Sequence, residues 1–253
     1  MRLPLAATAV LAFFSLSAAG QQITTAAQLV NAMHDRYAGK WYRTLTFEQQ
    51  SITHKPDGTD STELWHESLL LPGRLRIDIA ETSSGNGMIF VNNHLYIFRD
   101  GKPAGDRELI HPLMVLGFDI YLQPAETTMQ QLQGLKFDLS LFHEDTLDGR
   151  PAYVVGAKAG DVTARQFWID KERLYFVRLL GPSQRDPKVV EDVRFGDYKQ
   201  VEGGAWLSEH VTIHADGKLV FEEKYSDVKL NPPLAEGLFD PKQFAAKAEP
   251  AKP

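Results

Sequence analysis

Eight histidines and 33 carboxylates are the side chains of this chain that could hold a metal or move protons; no cysteine is present, which removes thiolate nucleophiles and cysteine-ligated metals. His210 and His214 stand four residues apart. On a strand the two rings would share a face but lie roughly 13 Å apart at about 3.3 Å per residue, too far to share one ion. Val211, Ile213 and the turn signal Asp216-Gly217 favour a strand there, so no metal is expected. Neighbouring carboxylates such as Glu191-Asp192 and Glu222-Glu223 point to opposite faces of a strand and cannot act together as acid and base. Acids brought together from different strands escape inspection of the sequence, and Glu67, Asp78, His143 and Glu209 stand as unranked candidates of that kind. No Gly-x-Ser-x-Gly elbow, phosphate-binding Gly-x-x-x-x-Gly-Lys loop or His-Glu-x-x-His motif occurs, and Gly85-Asn86-Gly87 reads as a hairpin turn. Neither an enzyme nor a cofactor is expected.

The elements that must position these residues are mostly strands. Leu29, Met33, Arg36 and Tyr37 recur at helical spacing after a capping Thr24 or Thr25, and Gly39 supplies a stop. Beyond this helix, short β-branched and aromatic runs are broken by Pro56-Asp57-Gly58, Pro72-Gly73, Asn92-Asn93, Asp148-Gly149, Gly160-Asp161, Asp170-Lys171-Glu172, Gly203-Gly204 and Asp216-Gly217. This cadence gives about twelve strands (eleven to twelve). Alternation is clearest in Leu75, Ile77 and Ile79 against Arg76 and Asp78, and in Phe137, Leu139 and Leu141 against Asp138 and Ser140. Elsewhere both parities carry bulk, as in Leu95-Tyr96-Ile97-Phe98 and Gln166-Phe167-Trp168-Ile169, so parts of the sheet should be covered on both sides. The segment from about Glu108 to Leu135 breaks the strand run and reads as two short helices. The expected fold is mainly β: a sheet of so many antiparallel strands should curl strongly towards a barrel, with the N-terminal helix and the mid-chain helical insert at its mouth or in its hollow.

Residues 1–20 have the form of a signal peptide. Arg2 gives a positive start, Leu3 to Leu16 is nearly all apolar, and Ser17-Ala18-Ala19-Gly20 offers small residues for cleavage near Ala19 or Gly20. The run is shorter than the roughly 20 residues of a spanning helix, and no cysteine follows for lipid attachment. The expected product is periplasmic, with one domain over 21–244 and a disordered tail over 245–253. The net charge of −6 argues against nucleic acid as a partner.

Six stretches give the chain a family likeness. Trp41-Tyr42-Arg43-Thr44-Leu45-Thr46-Phe47-Glu48-Gln49 forms a long first strand after the helix; Leu71-Pro72-Gly73-Arg74-Leu75-Arg76-Ile77 forms the turn from second to third strand. Phe167-Trp168-Ile169-Asp170, Tyr198 to Leu207, Tyr225 to Asn231 and Leu238-Phe239-Asp240-Pro241 follow. With these motifs the chain resembles the outer-membrane lipoprotein carrier (LolA-like) superfamily of periplasmic lipoprotein- and lipid-binding proteins. The resemblance implies an unclosed barrel with a helical lid over a hydrophobic cavity that receives acyl chains, without cofactor or catalysis. One departure is Leu71, where the lipoprotein carriers usually have an arginine, so a lid-closing role of that arginine does not transfer.

On this reading the candidate cavity residues are Trp41, Leu45, Phe47, Phe90, Phe98, Trp168 and Phe176 with Leu75, Ile77 and Ile79 on strands, and Leu113, Met114 and Met129 on the lid. The same residue types build ordinary cores. The expected function is a monomeric periplasmic carrier of the acyl chains of a lipoprotein or lipid, served by an inner- or outer-membrane partner protein. The alternative is an envelope lipid or lipoprotein sensor or interaction module on the same scaffold, and a third reading is a hydrolase with carboxylates assembled across strands.

Overall fold

Threonine 25 starts the first helix by accepting a 3.2 Å hydrogen bond from the Gln28 amide, and α1 runs Ala26–Tyr37. Its apolar stripe, Leu29, Val30 and Met33, is wholly buried. The computed structural model describes residues 22–244; the expected signal segment 1–20 and the tail 245–253 lie outside the described residues.

After α1 the chain builds one antiparallel sheet. A first meander comprises β1 (Thr44–His54), β2 (Asp60–Leu70), β3 (Arg74–Ile79), β4 (Gly87–Val91), β5 (His94–Arg99) and β6 (Lys102–Glu108). A second comprises β7 (Phe142–Leu147), β8 (Arg150–Val155), β9 (Gln166–Asp170), β10 (Phe176–Pro182), β11 (Val190–Gln200), β12 (Trp206–Ala215) and β13 (Lys218–Leu230). The meanders join where β1 pairs with β13, giving the order β6-β5-β4-β3-β2-β1-β13-β12-β11-β10-β9-β8-β7. The two edges, β6 and β7, are consecutive in sequence but lie at opposite ends of the sheet. The connection between them carries α2 (Pro112–Gly117), a short 3-10 turn (Asp119–Tyr121) and α3 (Ala125–Gly134). A chain that must cross from one free edge of a curled sheet to the other runs over its hollow, so the topology itself places the insert as a cover.

Three details differ from the sequence expectation. The sheet has thirteen strands. The additional one is β6, whose seven residues are all exposed and carry no apolar alternation. Its signal is the Asp100-Gly101 turn, where both residues take positive φ (49° and 72°) as a tight hairpin requires. Second, Phe137–Leu141 is not a strand: Asp138 accepts hydrogen bonds from the amide and hydroxyl of Ser140, and the Leu141 amide returns to the Asp138 carbonyl. A local Asx turn has overridden an alternating pattern. Third, Trp41 and Tyr42 precede β1, which begins at Thr44.

The face that carries the helices is the inner one. Its core joins Leu29 and Met33 of α1 and Leu116 and Leu132 of the insert to Leu45, Leu69, Leu75, Phe90, Phe167 and Phe176 of the sheet. The outer face of β3–β5 is also covered. Phe244 stacks on Phe98, with ring centroids 4.1 Å apart, and a small cluster with Ile89 forms beneath it. Bulk at both parities of β5 thus answers to helices and sheet on one side and the C-terminal segment on the other.

Candidate functional site

Polar anchors tie the insert down. His111 caps α2 by accepting from the Met114 amide, its ring stands edge-on to Phe90, and burial pushes its pKa down to about 4. Asp119 accepts the Gly73 amide at 2.9 Å, linking the insert to the β2–β3 turn; Gly73 has φ 82°. Burial still pushes the Asp119 carboxyl up to about 7. Tyr121 accepts the Phe176 amide at 3.0 Å and stacks on Trp41 at 3.8 Å. Leu116, Ile120 and Leu132 have no exposed surface. The space directly beneath the insert is therefore filled by the protein's own side chains.

Further along the strands, towards the β1–β2 turn, the inner face is less covered. Trp65 on β2, Ile79 on β3, Met88 on β4, Ile97 on β5 and Ile213 on β12 border the same core yet stay only partly buried. Register puts the first four together, since Trp65 pairs with Ile79, Ile77 with Met88, and Met88 with Ile97, while Ile213 pairs with Phe221 of β13, whose ring lies 5.9 Å from that of Trp65. An apolar floor thus continues past the edge of the insert.

A polar cluster interrupts that floor. The inward positions of β1 read Leu45, Phe47, Gln49, Ser51, and Gln49 and Ser51 are as buried as the leucine, with the Gln49 amide donating to Ser51 Oγ at 2.9 Å. Glu67 of β2 lies opposite Phe47, Glu223 of β13 opposite Ser51, and Tyr225 opposite Gln49. Tyr225 stacks on Phe47 at 4.2 Å and donates to Glu223 at 2.8 Å. Glu67 is 8% exposed and makes no hydrogen bond or ion pair among the described residues. Loss of hydration, and secondarily the Glu223 charge, hold its carboxyl well above the usual range. Burial likewise pushes Glu223 up to about 7, against the opposing pull of the Tyr225 hydrogen bond. Glu223 is thereby placed where its charged and neutral forms are both accessible near neutrality.

The candidate lining residues divide by face. Trp41, Leu45, Phe47, Leu75, Ile77, Phe90, Met114 and Phe176 belong to the buried inner core, with Ile79, Leu113 and Met129 packed at its partly exposed margin. Trp168 lies on the outer face with Ala152 and Val154, its indole donating to Gln166 and lying under Arg178. Phe98 is also outside, beneath Phe244. Both follow from the two-residue period, since Phe167, Ile169 and Ile97 take the inward positions. Two depressions of about 250 and 410 Å³ open on the surface, one around Asp148, Tyr175 and Asp197, the other between β3 and the 234–240 segment. Neither involves the insert.

Among the candidates for chemistry, Asp78 is bound by Arg76 and Glu209 by Lys199, while His143 lies 3.9 Å from Asp145. His210 and His214 sit on β12, and His210 meets Glu222 at 2.7 Å. No grouping of three or more metal-ligating side chains occurs among the described residues. Only Glu67 is brought against a second acid without a base. Its partner, Glu223, was visible in the sequence merely as a neighbour of Glu222. The readable signal was Gln49 and Ser51 continuing the inward parity of a half-apolar strand.

By sequence, no family model and no curated protein matches the chain. By structure it is similar to a DUF1329 family protein from Desulfovibrio piger, with a TM-score of 0.55 at 13% identity over 85% of this chain and 95% of that one. A LolA superfamily protein from Nitrosomonas europaea gives 0.55 at 14% over 86% and 98%. A putative outer membrane lipoprotein-sorting protein domain from Vibrio parahaemolyticus gives 0.51 at 13% over 87% and 97%. The curled open sheet, the leading helix and the helical cover between its edges are therefore those of the LolA fold.

Proposed function

We propose that this chain is a non-catalytic carrier of the periplasm that holds acyl chains of a lipoprotein or lipid against the inner face of the sheet. The observation that carries this reading is the apolar floor of Trp65, Ile79, Met88, Ile97 and Ile213, which faces inward yet is left partly uncovered by the helices. A hydrocarbon chain laid on that floor removes apolar surface from water at about 0.8 kcal/mol per buried methylene. To extend under the insert it displaces side chains at the insert's margin, where Leu113 and Met129 are partly buried and the flexible thioether adapts to varied shapes. Support for the cargo class comes from the fold shared with the lipoprotein-sorting domain; support for export comes from the form of residues 1–20. No helix of the described residues is long and apolar enough to cross a membrane.

The test is direct. A fluorescent fatty acid is titrated into the protein, and lipid is extracted from material purified from the periplasm. Micromolar binding and co-purifying acyl lipid are expected, with binding weakened at least tenfold by Ile79→Asp. Empty preparations that also fail to take the fluorescent probe would end the carrier reading.

A further inference from the structure

We propose that the cluster around Glu67 and Glu223 is a binding site for a protonated amine, so that the preferred cargo is an amphiphile carrying an ammonium group. This rests on the apolar-floor reading above and adds the polar end of the ligand.

Glu67, buried on β2 opposite Phe47, and Glu223, partly buried on β13 opposite Ser51, flank β1 on its inner face, and acids withdrawn from water are costly unless something compensates them. Elsewhere on these same strands the protein supplies the compensation itself. On the other parity of β13, Glu222 meets His210 at 2.7 Å and Lys224 at 3.2 Å, and Glu48 of β1 has His66 at 3.8 Å. Glu67 and Glu223 form no ion pair with any described residue. Glu67, more than nine-tenths buried, lacks even a hydrogen bond. Its oxygens keep some contact with solvent: among the described residues the fully enclosed unpartnered polar atoms belong to Trp41, His54, His143 and His214. Glu67 is thus an uncompensated acid that still meets solvent at its margin.

The surroundings fit a cation. Phe47 and Tyr225 stack beside the acids, and Trp65 lies between Glu67 and the rim on the same face of β2, its ring 5.9 Å from Phe221. Aromatic faces attract an ammonium through their quadrupole. The Trp65 indole donates to Glu63, an exposed acid at the next inward position, which places a third carboxylate at the entrance. The Gln49 and Ser51 oxygens and the Tyr225 hydroxyl are further acceptors for ammonium N–H groups. A bound ammonium relieves the repulsion between the two acids and is itself dehydrated only where charge-assisted hydrogen bonds replace water. The apolar floor of Ile79, Met88 and Ile97 begins next to Glu67, so a tail attached to that nitrogen runs directly onto it.

Isothermal titration calorimetry at pH 7.5, below the micellar range, with decylammonium, decanol and decanoate on the full chain and on the E67Q/E223Q variant separates the two readings. Decylammonium is expected to bind wild type at least tenfold more tightly than decanol, and decanoate least well. In the variant the preference for the amine should collapse to less than threefold, with folding verified by circular dichroism. Equal affinity for amine and alcohol, tighter binding of decanoate, or a preference that survives in the variant overturns the amine site. Decanol or decanoate binding without amine preference leaves the carrier reading standing alone. Amine binding without any decanol binding keeps the site and removes the apolar floor. If none of the three binds, both readings fall.

Discussion

Two faces of the same strands bury carboxylates in opposite ways. On the outer face of β3, Arg76 is 2% exposed and grips Asp78 with two hydrogen bonds of 2.7 Å. Its remaining donors reach the carbonyls of Leu238 and Phe244, and its guanidinium lies 4.4 Å from the Phe244 ring centre. On the inner face, one strand away, Glu67 opposes Ile77 and has no donor at all. The outer pair is closed: each charge is answered, and the answer fastens the C-terminal segment to the sheet. The inner acids have no cationic partner, and Glu67 has no hydrogen bond either, so their burial is the kind of deficit that a ligand can remove. A buried charge completed within the protein does structural work, whereas one left incomplete beside an apolar floor marks a place for something else.

That contrast can be broken from either side. The largest effect should come from Arg76→Ala, which strands Asp78 and releases the C-terminal segment; a loss of about 3–5 kcal/mol in urea unfolding is expected. If the loss is under about 1 kcal/mol, the strap is not held by this pair. Next, Leu132→Ala should cost about 2–5 kcal/mol, because its side chain is wholly enclosed between insert and core. A small cost there would show that the insert packs loosely and lifts easily.

The inner acids predict a gain in place of a loss. Glu223 has an ordinary pKa of 4.5 and is pushed up to about 7 in the fold. Between these values the unfolded chain releases the proton and the folded chain keeps it, so stability falls as pH rises through that window and levels off above it. Glu223→Gln should therefore stabilise the protein by on the order of 1–3 kcal/mol at pH 8 and have little effect at pH 4. A melt series showing a pH-independent change would mean that the acid is not buried as described. Asp119→Asn should follow the same sign with a smaller gain, since the amide replaces a carboxyl already bonded to the Gly73 N–H, and reversing the amide sacrifices that bond. Smallest of all, Lys199→Ala removes an exposed partner of Glu209 and should shift stability by less than about 1 kcal/mol.

Much of the architecture was legible because it depends on short-range chemistry. Thr25 and the Leu29–Met33 stripe announce α1, and Asn92-Asn93, Asp148-Gly149 and Asp216-Gly217 are turns because their residues tolerate the positive φ that each adopts. Where the reading failed, local and tertiary terms disagreed. The alternation of Phe137–Leu141 lost to an Asx turn at Asp138, and β6 had no apolar face to betray it because an exposed edge strand buries nothing. Arg76 and Asp78 read only as the polar parity of an alternating strand, and residues more than 150 positions later come back to cover them.

Residue order alone determined the helix, the alternation, the turns and the helical insert between strands, since each is set by contacts within a few positions of the chain. Which acids meet was decided only by the folded sheet. Glu67 and Glu223 are separated by most of the sequence and come together because β1 pairs with β2 on one side and β13 on the other. Register across three strands is a property of the closed pattern of hydrogen bonds, and no local rule encodes it.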